Sequence, residues 1–231
     1  MKQVFLVLAI FFAFVGGLPS SGQDSGKQAL QERVAAIKQS IAQNQAKLRA
    51  YAWTETTEVS MKGEVKKREQ NDCHYGADGK VVKTPIGDTG GEAKGGGRRG
   101  LKGKIVEKKV DELKDYMDRV GSLVSRYVPP NPESMQAAFQ SGKAVLDKAS
   151  GALVLSDYAK PGDRFTFSFD PTAKRLRAFN VETYLDAPDD AVTLSASFSS
   201  LADGTNFLEQ SVLDGKAKQI QIKTTNFGHH K

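Results

Sequence analysis

The stretch Arg164–Leu185, RFTFSFDPTAKRLRAFNVETYL, decides the fold. Phe165, Phe167 and Phe169 alternate with Thr166 and Ser168, the period of two that marks a strand with one apolar face. Asp170-Pro171-Thr172 turns the chain, and Arg175–Leu185 returns as a longer strand with Phe179, Val181 and Leu185 on one side. The same grammar continues on both sides. Downstream, Val192, Leu194, Ala196 and Phe198 alternate after the turn Pro188-Asp189-Asp190. Ala202-Asp203-Gly204 then leads to a strand over Thr205–Leu213, and Asp214-Gly215 to one over Lys218–Asn226. Upstream, Ala144–Lys148 and Ala152–Tyr158 flank a Ser150-Gly151 turn. Short strands joined by tight turns at this spacing predict an antiparallel meander.

The first half is mixed. Leu30, Val34, Ile37, Ile41 and Leu48 make one face of a helix over Lys27–Ala50. At Tyr51 the period changes to two: Tyr51, Trp53, Val59 and Met61 share one side of a strand, and Thr54, Thr56, Glu58 and Ser60 the other. Lys62-Gly63-Glu64 turns into a polar strand, Val65–Tyr75, and Ala77-Asp78-Gly79 into a short one, Lys80–Thr84. Gly87–Gly103, GDTGGEAKGGGRRGLKG, lacks the apolar residues that offset ordering entropy and reads as a flexible loop. Its glycines do not have the phosphate-loop spacing. Val106, Val110, Leu113, Met117, Val120, Val124 and Tyr127 recur at threes and fours, so Lys104–Tyr127 is a helix stopped by Pro129-Pro130. Asn131-Pro132 opens another, as N-cap and first helical residue, that ends near Gly142.

The chain opens with a short n-region, Met1-Lys2-Gln3, then an unbroken apolar run, Val4–Val15, then Ser20-Ser21-Gly22. The run is shorter than the roughly 20 apolar residues of a membrane span, so residues 1–22 read as a secretory signal cut after Gly22. This predicts a periplasmic or secreted protein with no transmembrane segment in the mature chain, residues 23–231, which form a single α+β domain with its loop at 87–103. The chain has 33 Lys+Arg against 27 Asp+Glu, a net charge of +6. A single cysteine, Cys73, excludes an intramolecular disulfide framework and a multi-thiolate zinc site.

The order helix, strand hairpins, two helices, meander behind a signal resembles the periplasmic lipoprotein-carrier (LolA-type) half-barrel proteins. At closer range YAWTETTEVSMKGEV, YGADGKVVKTPIG and YAKPGDRFTFSFDPTAKRLRAFNVETYLD resemble a group of uncharacterised secreted bacterial proteins. The carrier resemblance implies an α+β fold in which one curved antiparallel sheet, half-barrel-like, is covered by about three helices. It also implies an apolar concave face for a lipid, an acyl chain or a lipidated protein.

On that reading the ligand-binding residues are Trp53, Val59, Phe165, Phe167, Phe169, Phe179 and Phe198. Core packing is the default explanation of such alternation, and a cleft follows only if a single sheet with few helices leaves part of one face uncovered, which makes an envelope protein-interaction or sensing module with a closed, packed core the rival. No enzyme is expected. Cys73 and His74 point to opposite faces of a strand, so they form no thiolate dyad; Asp72 and His74 share a face but show no third metal ligand. Asp163, Asp170 and Asp186 sit where turns need them, and His229-His230 reads as tail. No catalytic residue, metal or cofactor is assigned. Lys94, Arg98, Arg99, Lys102, Lys104, Lys108 and Lys109 form a basic stretch suited to solvation or to an anionic envelope surface rather than nucleic acid.

Overall fold

The computed structural model of the chain describes residues 43–87, 101–147, 150–170, 172 and 175–231, with the backbone alone for 101–109 and Pro132. The signal segment, most of the expected 27–50 helix and residues 88–100 of the glycine-rich stretch lie outside the described residues. Residues 43–48 are helical.

The elements run β1 (Ala52–Met61), β2 (Glu64–Tyr75), β3 (Val81–Pro85), α1 (Leu101–Val124), α2 (Pro132–Gln140), β4 (Ala144–Leu146), β5 (Leu153–Ser156), β6 (Arg164–Asp170), β7 (Arg175–Tyr184), β8 (Ala191–Ser200), β9 (Asn206–Gly215) and β10 (Ile220–His230). All the strands form one antiparallel sheet of ten, in the order β3-β2-β1-β10-β9-β8-β7-β6-β5-β4. The sheet does not close on itself: β3 and β4 are its two edges. The fold is thus mostly sheet with helices added, an α+β chain. α1 begins at Leu101, inside the stretch expected to be loop.

β10 joins the two halves. It pairs with β9 on one side and with β1 on the other, in a register that sets Met61 beside Ile220 and Glu58 beside Lys223. β10 also corrects the reading of His229-His230 as tail, because the strand continues to His230. Gly228, at φ 67, and a register shift in β1 between Ala52 and Thr54 let the pairing continue past an irregularity. His229 is then held between aromatic rings, 5.9 Å from Trp53 and 4.0 Å from Phe207.

α1 buries Tyr116, Val120, Leu123 and Val124 in the same core as Phe165, Phe167, Phe179, Val181 and Leu194. The sequence stripe is offset: Val110 is 59 % exposed, and Tyr116 and Leu123 take inward places that the three-four spacing did not include. α2 starts as expected, with the Asn131 side chain accepting from Ser134 N at 2.8 Å and Pro132 in its first turn.

At the β3 edge, Ile86 N donates to Gln70 O on β2. Backbone groups alternate sides along an antiparallel strand, so the place of Pro85's missing N–H faces outward and no ladder bond is lost. The β2 segment beyond β3 carries Glu64, Lys66, Lys67, Arg68 and Glu69, with ion pairs Lys66–Glu64, Lys67–Glu69 and Arg68–Glu58. Charged edges of this kind oppose strand-to-strand aggregation.

Candidate functional site

The inner face, shared with α1, is best seen as rows running across the strands. One row is apolar from end to end: Val59, Ile222, Leu213, Leu194, Val181, Phe165, Leu155 and Ala144, each beside the next. The adjacent row changes character midway. It runs Leu146, Leu153, Phe167, Phe179 and Ala196, then Ser211, Thr224 and Thr57. Burial changes with it: Phe167, Phe179 and Ala196 are buried, whereas Ser211, Thr224 and Thr57 are half-buried.

The sequence-derived site residues therefore fall into three groups. Phe165, Phe167 and Phe179 are buried against one another and against α1, with Phe165–Phe167 ring centroids 4.2 Å apart and Phe165–Phe179 5.8 Å apart in an edge-to-face contact. Val59, Phe169 and Phe198 are half-buried and flank that core. Phe198 faces Leu208 across β8 and β9 and lies 6.0 Å from Phe179. Trp53 belongs to a separate cluster: its ring packs with Tyr75 and His229, and Nε1 donates to Asn226 Oδ1 at 3.0 Å. Leu208 and Leu213 extend the half-buried apolar rim. They were hidden in sequence because β9, NFLEQSVLDG, breaks strict alternation with a register shift where it meets Phe198.

Beyond the hydroxyls the face becomes ionic. Glu55 is buried, accepts from Lys83 of β3, and sits beside Asn226 of β10. Asn226 is committed on both sides, accepting from Trp53 and donating to Leu208 O at 2.9 Å. Cys73 is fully buried, and burial with the Glu55 charge pushes its thiol up to about 12. It is an inert thiol at neutral pH. Burial holds His229 below its ordinary range, so this ring is neutral at pH 7.

Asp163 is buried and accepts from the backbone N–H groups of Tyr158, Ala159 and Lys160. This is a turn-organising carboxylate, as its position before β6 implies. Among the described residues no three of His, Cys, Asp and Glu come together in a way that would hold a metal ion, and no helix is long and apolar enough to cross a membrane. On the opposite face a shallow depression of about 270 Å³ is lined by uncharged residues including Ser168, Asn180, Ser197 and Gln210. Of the basic stretch, Lys94, Arg98 and Arg99 lie outside the described residues, and Lys102, Lys104, Lys108 and Lys109 are described in backbone alone, within α1.

Comparison of the chain with protein-family models, with curated proteins and with solved structures finds no match to it.

Proposed function

We propose that this is an exported, non-enzymatic binding protein whose sheet, a helix-covered half-barrel, takes the apolar chain of a lipid or lipidated partner. The observation that carries the reading is the half-buried rim of Val59, Phe169, Phe198, Leu208 and Leu213, continuous with the buried core. An acyl chain laid along it removes further apolar surface from water, at about 0.8 kcal/mol per CH₂. In this account Phe165, Phe167 and Phe179 form the rigid floor, and Phe198 and Leu208 touch the ligand. Residues 1–22 supply the export signal.

A titration with the neutral dye Nile red, read alongside urea unfolding, tests this. Phe198→Ala should weaken dye binding several-fold with a modest loss of stability. Phe167→Ala should cost the roughly 3–5 kcal/mol of a close-packed phenylalanine. Absence of dye binding by the folded protein rejects the reading.

The burial of Phe165, Phe167 and Phe179 favours a second reading, an interaction module with a closed core. It predicts no thermal shift with any apolar ligand, where a carrier gains about 2.7 kcal/mol at a hundredfold excess over the dissociation constant.

A further inference from the structure

Resting on the apolar-binding reading, we propose that the inner face selects an uncharged amphiphile, one whose neutral polar end meets the hydroxyl row Ser211–Thr224–Thr57. Those residues stand side by side on β9, β10 and β1. At the spacing of neighbouring strands the row spans about 10 Å, room for a glycerol head along it or for a single alcohol or ester group at one of its hydroxyls. It lies between two different surroundings. On one side is the apolar row Val59–Ile222–Leu213. Along the row itself, Ala196 leads to Phe179 and the core. On the other side lie the rim pair Phe198–Leu208 on β8 and β9 and the Glu55–Asn226 pair on β1 and β10. A chain seated on Phe198 and Leu208, or on Leu213 and Val59, lies directly beside these hydroxyls, where its polar end can meet them.

The hydroxyls are not engaged by strong internal bonds. Thr57 Oγ1 lies 3.5 Å from Thr224 Oγ1 and 3.5 Å from Glu55 Oε1, at the outer limit of a hydrogen bond. A ligand oxygen at ordinary distance replaces such contacts without loss. The hydroxyls here both donate and accept, which suits a head that does the same.

Charge excludes the alternatives. The inner-face residues of β1, β9 and β10 include no cation in register with the hydroxyl row. Lys83, on β3, is compensated by Glu55, their side chains 21 % and 10 % exposed. Lys67 is compensated by Glu69. Arg49 reaches instead to Gly79, at the turn between β2 and β3. Among the described residues, a carboxylate or phosphate head would thus lose water without gaining a counter-ion. An ammonium head would find two carboxylates already paired, Glu55 with Lys83 and Glu69, beside Thr57, with Lys67. Leaving a charge so poorly compensated is far costlier than leaving a hydroxyl.

The test is displacement of Nile red from the full chain at pH 8 by four probes of equal chain length: dodecanol, 1-monolauroylglycerol, laurate and dodecylamine. The two neutral probes should displace the dye at concentrations about tenfold or more below the two charged ones. Thr224→Val combined with Ser211→Ala should erase most of that difference while dye binding persists, and Thr224→Ser should keep it. Laurate or dodecylamine matching the neutral probes overturns the head-group inference, as does a preference unchanged in the double variant. Either result leaves the apolar site standing if the dye still binds. Failure of the dye to bind overturns both.

Discussion

The Tyr127 hydroxyl donates a 2.6 Å hydrogen bond to Oδ2 of Asp163, and both residues are buried. It also lies 2.8 Å from Thr183 Oγ1 on β7. With its own proton committed to the carboxylate, Tyr127 accepts from Thr183. The three side chains tie the end of α1 to the turn before β6 and to the sheet. The ring of Tyr127 meets Phe165 edge to face at 5.9 Å, so this polar cluster sits directly against the aromatic floor.

Tyr127→Phe removes one donor from a buried carboxylate and the acceptor of Thr183. It should destabilise the protein by about 1–3 kcal/mol in urea unfolding. The pH dependence has a defined sign. Burial and the bond to Asp163 hold the Tyr127 phenol well above its ordinary range, and burial pushes Tyr116 and Tyr158 up to about 12. A raised folded pKa contributes stability that is complete below the unfolded value near 10 and is lost as pH rises toward the folded one. Unfolding midpoints should therefore fall between about pH 10 and pH 12, less steeply in Tyr127→Phe. A flat profile across that window contradicts the buried network.

The Tyr116 side chain of α1 reaches the sheet at Gly215. A Cβ there would meet the Tyr116 hydroxyl at 2.6 Å and Ile220 Cγ2 at 3.1 Å. Gly215→Ala should cost about 1–3 kcal/mol by overpacking. Tyr116→Phe removes the hydroxyl from the clash and should recover part of that cost in a double-mutant cycle. Strict additivity would mean that the helix does not press on this strand.

Cys73 faces the interior between Trp53 of β1 and Lys83 of β3, with its thiol proton retained. Iodoacetamide at pH 8 should label it only at the rate of unfolding, and the native protein should form no disulfide-linked dimer. Rapid labelling of the folded chain would place β2 and β3 elsewhere.

The meander and the Asn131 cap of α2 were legible because each rests on local chemistry. Phe165, Phe167 and Phe169 announce a strand by alternation, and Asn131-Pro132 announces a helix start by two residue types at fixed offsets. What the sequence concealed is non-local. Nothing near His229 says that a strand begun at Ile220 will continue beside Ala52, since its partners lie far away in the chain. Val110 belongs to the helical stripe by spacing, yet the packing of α1 selects Tyr116 and Leu123 instead. Alternation also identified the aromatic residues without separating floor from rim. That division depends on long-range packing, which leaves Phe165 at 0 % exposure inside the core and Phe198 half-buried at its margin.

The central claim is that the inner face holds an apolar molecule, and native mass spectrometry of the protein purified from the compartment where it accumulates tests it most directly. The account predicts a mature chain starting near Gln23 that carries extra mass of lipid or acyl size, released on denaturation. A bare polypeptide mass, unchanged when neutral lipids are added back, would contradict it.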